Sequence, residues 1–213
     1  MKSKFAFLFV LFLAAIPARR ADAKVETSTF KLKDKALEAS FFTSDGCYGV
    51  ATYIKYIQSV VRQDGTSTVT PPTTSIELSY TNGCTGESFF LTGGTTQQYV
   101  TIAGDLSRGS LSAVVPVSDG VIDANVTVNI DLTANAPLQQ SKDSSLTWDP
   151  VARTLTWQRF DFRTRSADAT GNVSTVLPVQ AGPTLFNLAE FPQSARLGKD
   201  VSGTRSVTFI PRN

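Results

Sequence analysis

The chain has 213 residues, with 20 Lys and Arg, 18 Asp and Glu, and no histidine. A missing imidazole removes Ser-His-Asp and Cys-His nucleophile activation, imidazole metal sites and the usual general base near neutral pH. No phosphate-binding Gly-rich loop, EF-hand loop or H-E-x-x-H pattern occurs either, so no catalytic, cofactor or metal residue is assigned and the protein is read as a non-enzyme.

The first segment reads as a secretory signal. Lys2 and Lys4 precede an apolar run from Phe5 to Ile16, and Ala21-Asp22-Ala23 fits the A-x-A cleavage pattern. The run is 12 residues long, whereas a membrane-spanning helix needs about 20. Residues 1–23 are therefore expected to be removed, leaving 24–213 as an exported chain with no membrane span. Four of the 20 basic residues and one of the 18 acidic residues lie in the signal, which leaves 16 against 17. A near-neutral chain has no global field to gather nucleic acid, so a nucleic-acid partner is not expected.

Beyond the signal, period-two alternation dominates. Val126, Val128, Ile130 and Leu132 alternate with Thr127, Asn129, Asp131 and Thr133, the pattern of a strand with one buried and one wet face. Noisier runs cover 30–33, 37–43, 50–61, 75–80, 88–91, 99–102, 111–117, 154–164 and 207–210. Turn residues separate them, among them Ser44-Asp45-Gly46, Asn82-Gly83, Gly93-Gly94, Asp119-Gly120, Asp149-Pro150 and Gly171-Asn172. This spacing predicts an all-β fold, a β-sandwich or partly closed barrel, in one domain over 24–213. The one helical stretch expected is short, near 185–191.

A pattern recurs within the chain. Leu32, Leu37, Ala39 and Ser44-Asp45-Gly46 return as Leu106, Leu111, Ala113 and Ser118-Asp119-Gly120, always 74 residues later. The expectation is a duplicated unit of about 75 residues, its copies starting near 30 and 104. Cys47 and Cys84 are the only cysteines, and an even count in an exported chain predicts a disulfide. Val121 stands at the position equivalent to Cys47, so the bridge lies outside the repeated plan.

Two groups of residues are candidates for ligand contact. Trp148 and Trp157 flank an Asp149-Pro150 turn in an expected hairpin, where exposed indoles would stack on sugar rings; buried, they would be an ordinary cross-strand pair. Arg159, Asp161, Arg163 and Arg165 share one face of the next strand, and Arg159, Arg163 and Arg165 form a possible anion stripe. Cross-strand ion pairs are the plainer reading of that stripe. The apolar parity shifts between Trp157 and Phe160, which predicts a β-bulge near 158–159. Turn residues Asp119, Asp123, Asp168 and Asn172 carry oxygen ligands of the kind calcium takes, without supporting spacing. Ser28-x-x-Lys31 matches a Ser/Lys catalytic pattern but lacks its partner motifs and the helix it belongs on.

Taken together, Ser40–Cys47 (S-F-F-x-S-D-G-C), Asn82-Gly83-Cys84-Thr85, Leu106-Ser107-Arg108-Gly109 and the turn at 167–172 resemble a loose group of uncharacterised secreted bacterial β-rich proteins. The resemblance implies an exported β fold and carries no activity. The function expected is that of a non-catalytic, secreted (extracellular or periplasmic) protein with a binding or surface-associated role, its partner an unknown extracellular glycan or protein. The alternative is a carbohydrate-binding module or a small glycoside hydrolase built on carboxylates.

Overall fold

A computed structural model describes residues 26–63, 65–189, 191–200 and 203–210. The expected signal segment lies outside the described residues. Among those described there are thirteen strands and no helix, all in one antiparallel sheet.

The sheet turns back on itself. β1 (Glu26–Ser44) and β2 (Tyr48–Gln63) form a long hairpin, and β3 (Thr66–Val69) folds back onto the end of β2. From β2 the order runs through β4 (Thr73–Asn82) and β5 (Ser88–Thr95) to β7 (Arg108–Ser118), with β6 (Gln98–Ile102) following β5 along the same edge of β7. It continues through β8 (Asp123–Ala134) to β10 (Thr154–Val179), then through β12 (Phe191–Asp200) back to β1. β9 (Gln139–Asp149), β11 (Gly182–Asn187) and β13 (Gly203–Phe209) complete the set along β10. The joint between β5 and β7 is narrow, only Thr92 opposite Ser118 and Gly93 opposite Val117. The strands thus connect in a ring that is not a clean barrel, in keeping with the expected β-sandwich or partly closed barrel.

Alternation explains what fills it. Leu37, Ala39 and Phe41 of β1 point inward, as do Ile54 and Tyr56 of β2, Ile76, Leu78 and Tyr80 of β4, and Val126, Val128, Ile130 and Leu132 of β8. These buried side chains belong to one cluster, and area burial of this kind is the main term favouring the fold. At one end Tyr80 stacks on Phe89 with ring centroids 4.8 Å apart, and Phe186 meets Tyr48 edge-on at 5.1 Å. Cys47 is bonded to Cys84 at that same end, joining the β1–β2 and β4–β5 turns.

The two turns matched by the 74-residue offset close in the same way. Asp45 Oδ1 accepts from the backbone N–H of Cys47 and Tyr48, both at 2.9 Å. Asp119 Oδ1 accepts from Val121 and Ile122 at 2.9 and 2.7 Å. Gly46 and Gly120 follow with φ of 93° and 90°, backbone that glycine adopts without a Cβ penalty.

Three local expectations are corrected. Gly171-Asn172 is not a turn but the middle of β10: a Cβ on Gly171 would lie 2.2 Å from the Asn129 carbonyl oxygen, so the glycine admits the β8 backbone. The segment expected to be helical starts as the end of β11, at 185–187, and passes through Leu188 into a turn at Ala189. Phe186 and Leu188 are buried while Leu185 is 70 % exposed, a period of two rather than the 3.6 of a helix. No bulge occurs at 158–159, because the β9–β10 register runs unbroken from Thr154 opposite Asp149 to Thr164 opposite Gln139. The apolar parity changes freely there because this part of the sheet is a single layer with both faces partly wet.

Candidate functional site

β1, β2 and β10 outrun the ring and continue as an extension, ordered β3, β2, β1, β13, β10, β9. Residues directly opposite in an antiparallel pair share a face, so the register assigns each side chain. The face continuous with the ring interior carries the odd positions of β1 and β10.

That face is basic. Lys35 lies opposite Lys199, and Lys199 opposite Arg163, so three cations stand side by side across three strands, flanked by Gln58 and Gln140. Farther out, Arg62 faces Lys31, Lys31 faces Thr204, and Thr204 faces Arg159. With Lys33, Lys142 and Arg165 the face gathers nine of the chain's 20 Lys and Arg. Asp161, opposite Lys142, is the acid on this face among the described residues. Near-neutral net charge is therefore an average over an uneven distribution.

The sequence candidates fall here together. Arg159 and Arg163 are exposed, and neither has an acid directly opposite it; their partners are Thr204 and Ser144, and Lys199 and Gln140. Within the stripe Asp161 has an opposite charge directly across from it, Lys142, whereas Arg159 and Arg163 face Lys and polar residues. Arg165 differs, since it lies opposite buried Leu197 at the mouth of the ring and its Nε is buried without a hydrogen-bond partner. It stands near Asp105, whose carboxyl is held below its ordinary value mainly by hydrogen bonds from Ser107 and in smaller part by Arg165. Trp148 faces Leu155 and Trp157 faces Leu146, which sets the two indoles diagonally on this same face. They are 46 % and 40 % exposed. Tyr80, by contrast, is core, and Tyr99 is exposed on β6.

A groove of ≈ 450 Å³ is lined mainly from the opposite face, by Asp34, Glu38, Lys55, Phe162 and Arg196, and also reaches Arg163 and Lys199. Arg196 Nε donates to Glu38 Oε2 at 3.1 Å, and Asp34 Oδ1 is buried without a partner. Burial first, and the Glu38 carboxylate next, push the nearby Tyr53 hydroxyl above its ordinary value. Ser28 and Lys31 fall on opposite faces of β1 by strand alternation and make no common site. Asp119 spends Oδ1 on its own turn, and Asp168 accepts from Asn135 Nδ2 at 2.7 Å. Among the described residues no group of three His, Cys, Asp or Glu is placed to hold a metal ion.

No family model and no curated protein matches the chain. A crystal structure of a protein from Nitrosomonas europaea provisionally named AttH is similar at 8 % identity and a TM-score of 0.31. The match covers 86 % of this chain and 52 % of that one, so the chain spans about half of its length.

The lysines and Arg62 of this face were not singled out from the sequence as ligand contacts. Lys31, Lys33 and Lys35 alternate visibly, but only the register of β12 against both β1 and β10 places Lys199 between Lys35 and Arg163.

Proposed function

We propose that this is an exported, non-catalytic binding protein whose working surface is the basic and aromatic face of the β1–β13–β10–β9 extension. The observation that carries the reading is the placement of two exposed tryptophans and an unpaired row of cations on one sheet face. Indoles supply large contact area at low entropic cost, and cations supply orientation. The Cys47–Cys84 disulfide is compatible with a periplasmic or extracellular setting, and the signal pattern at 1–23 supports export.

The hydrolase alternative gains little from the groove. Asp34 and Glu38 sit four residues apart on one strand, roughly 13 Å along it at the usual rise. Paired glycosidase carboxylates stand about 5–9.5 Å apart, and Glu38 is already bound to Arg196.

The test is a glycan-array and thermal-shift screen on residues 24–213, repeated with Trp148→Ala/Trp157→Ala. Ligand-dependent stabilisation that the double substitution abolishes is the expected result. A screen with no hit, or hits indifferent to both tryptophans, overturns the assignment.

A further inference from the structure

Resting on that binding-face reading, we infer that the ligand is an extended polysaccharide bearing carboxylate or sulfate groups, held across the strands by the Lys35–Lys199–Arg163 row and stacked on Trp148 and Trp157.

Three features of the face narrow the ligand class. The first is charge. Neighbouring strands lie about 4.8 Å apart, and alternate residues of one strand roughly 6.7 Å apart, so the face is a lattice of cations at close, regular spacing. Such spacing suits a polymer that repeats its negative groups better than one small anion, which would engage one or two cations and leave the rest repelling. The second is the indoles. Trp157 is two residues from Arg159 on the same strand face, and Trp148 lies diagonal to it. A sugar ring offers an apolar face for stacking while its acidic substituent reaches the adjacent cation. The third is shape. Six strands side by side make a broad layer, so an extended chain can lie diagonally over it and span the roughly 20 Å along β10 between Arg163 and Trp157.

Other polyanions fit less well. An anionic lipid surface is bound by a basic face that also inserts a continuous apolar strip, and here Lys and Arg occupy the centre of the face. Single-stranded nucleic acid also combines phosphate with stacking, but the disulfide suits a compartment apart from it.

The experiment uses the full exported chain with five probes: heparin, a polyuronate, neutral dextran, single-stranded DNA, and vesicles rich in phosphatidylglycerol. Heparin or polyuronate is expected to bind, with affinity that falls steeply as NaCl rises. Lys35→Glu/Lys199→Glu is expected to weaken binding at least about tenfold and to flatten the salt dependence. A single cooperative thermal unfolding transition will show that the variant folds. Trp157→Ala is expected to weaken binding with the salt dependence kept. If dextran binds as well as the acidic polymers, and only the tryptophan substitutions matter, the acidic-polysaccharide inference is wrong while the binding face stands. If DNA or vesicles bind more tightly than either acidic polymer, the inference is overturned in favour of that partner. If no probe binds, both the inference and the binding-face reading fall.

Discussion

Gly93 of β5 lies so close to Pro116 of β7 that a Cβ at position 93 would stand 1.8 Å from the Pro116 carbonyl oxygen. The approach occurs where the ring closes, through the pairs Thr92–Ser118 and Gly93–Val117. No rotamer relieves a clash between a Cβ and backbone, so Gly93→Ala must separate the two strands. We expect a loss of about 3 kcal/mol or more in urea unfolding. Gly94→Ala is the control: its Cβ would meet the Thr74 carbonyl oxygen at 3.3 Å, and a loss of about 1 kcal/mol or less is expected.

Gly93 also shows where the sequence is ambiguous. Gly93-Gly94 and Gly171-Asn172 have the composition of turns, yet both lie inside strands where a partner's backbone comes near. Composition cannot separate these uses, because a tight turn and a close approach both select against a Cβ. The all-β class and the Asp45 and Asp119 turns were readable because alternation and Asx hydrogen bonding are local. β9 was legible only at its end, as the 146–148 arm of the Asp149-Pro150 hairpin, since every one of its residues is exposed and a strand without a buried face leaves no period. Arg159, Arg163 and the two tryptophans were visible as separate short signals. Their union with Lys35 and Lys199 depends on two long-range pairings, Arg163 with Lys199 and Lys199 with Lys35 more than 100 residues away, which one sequence does not display.

The disulfide closes a loop between residues 37 apart. In the chain-entropy account a crosslink of that span constrains the unfolded chain by about 4 kcal/mol. Cys47→Ala/Cys84→Ala is therefore expected to lose stability of that order in denaturant unfolding, and reductant should lower the wild type alone. A free-thiol assay on the denatured, unreduced protein is expected to find no thiols.

The Asp119 turn predicts a pH dependence. Hydrogen bonds from the Ile122 and then the Val121 backbone hold the Asp119 carboxyl below its ordinary value of 3.8. A carboxylate depressed on folding contributes stability that is fully present above the unfolded value, and loses it as pH falls through the lower folded value. Asp119→Asn keeps an acceptor oxygen but cannot titrate. Unfolding curves for the two proteins, taken from neutral pH down to below pH 3.8, are expected to run parallel at the upper end. Wild type should then fall away from the variant at the acid end. Parallel curves throughout would remove the turn from the titration.

Lys199 stands between Lys35 and Arg163 with no opposing charge directly across from it. Two unit charges at about 5 Å repel by roughly 0.8 kcal/mol even in water, and like charges opposite one another destabilise a sheet. Neutralising the middle member should therefore stabilise the unliganded protein. We expect Lys199→Gln to gain about 0.5–1 kcal/mol at low ionic strength. In 1 M NaCl, where the screening length shrinks to about 3 Å, the gain should vanish. Lys55 provides the contrast, because it lies directly opposite Glu38 on the other face. Lys55→Gln removes an attraction, so it should leave stability unchanged or slightly lower at low salt. Chemical unfolding of both variants at two salt concentrations decides the matter: equal responses from Lys199→Gln and Lys55→Gln would mean the basic row carries no unbalanced repulsion.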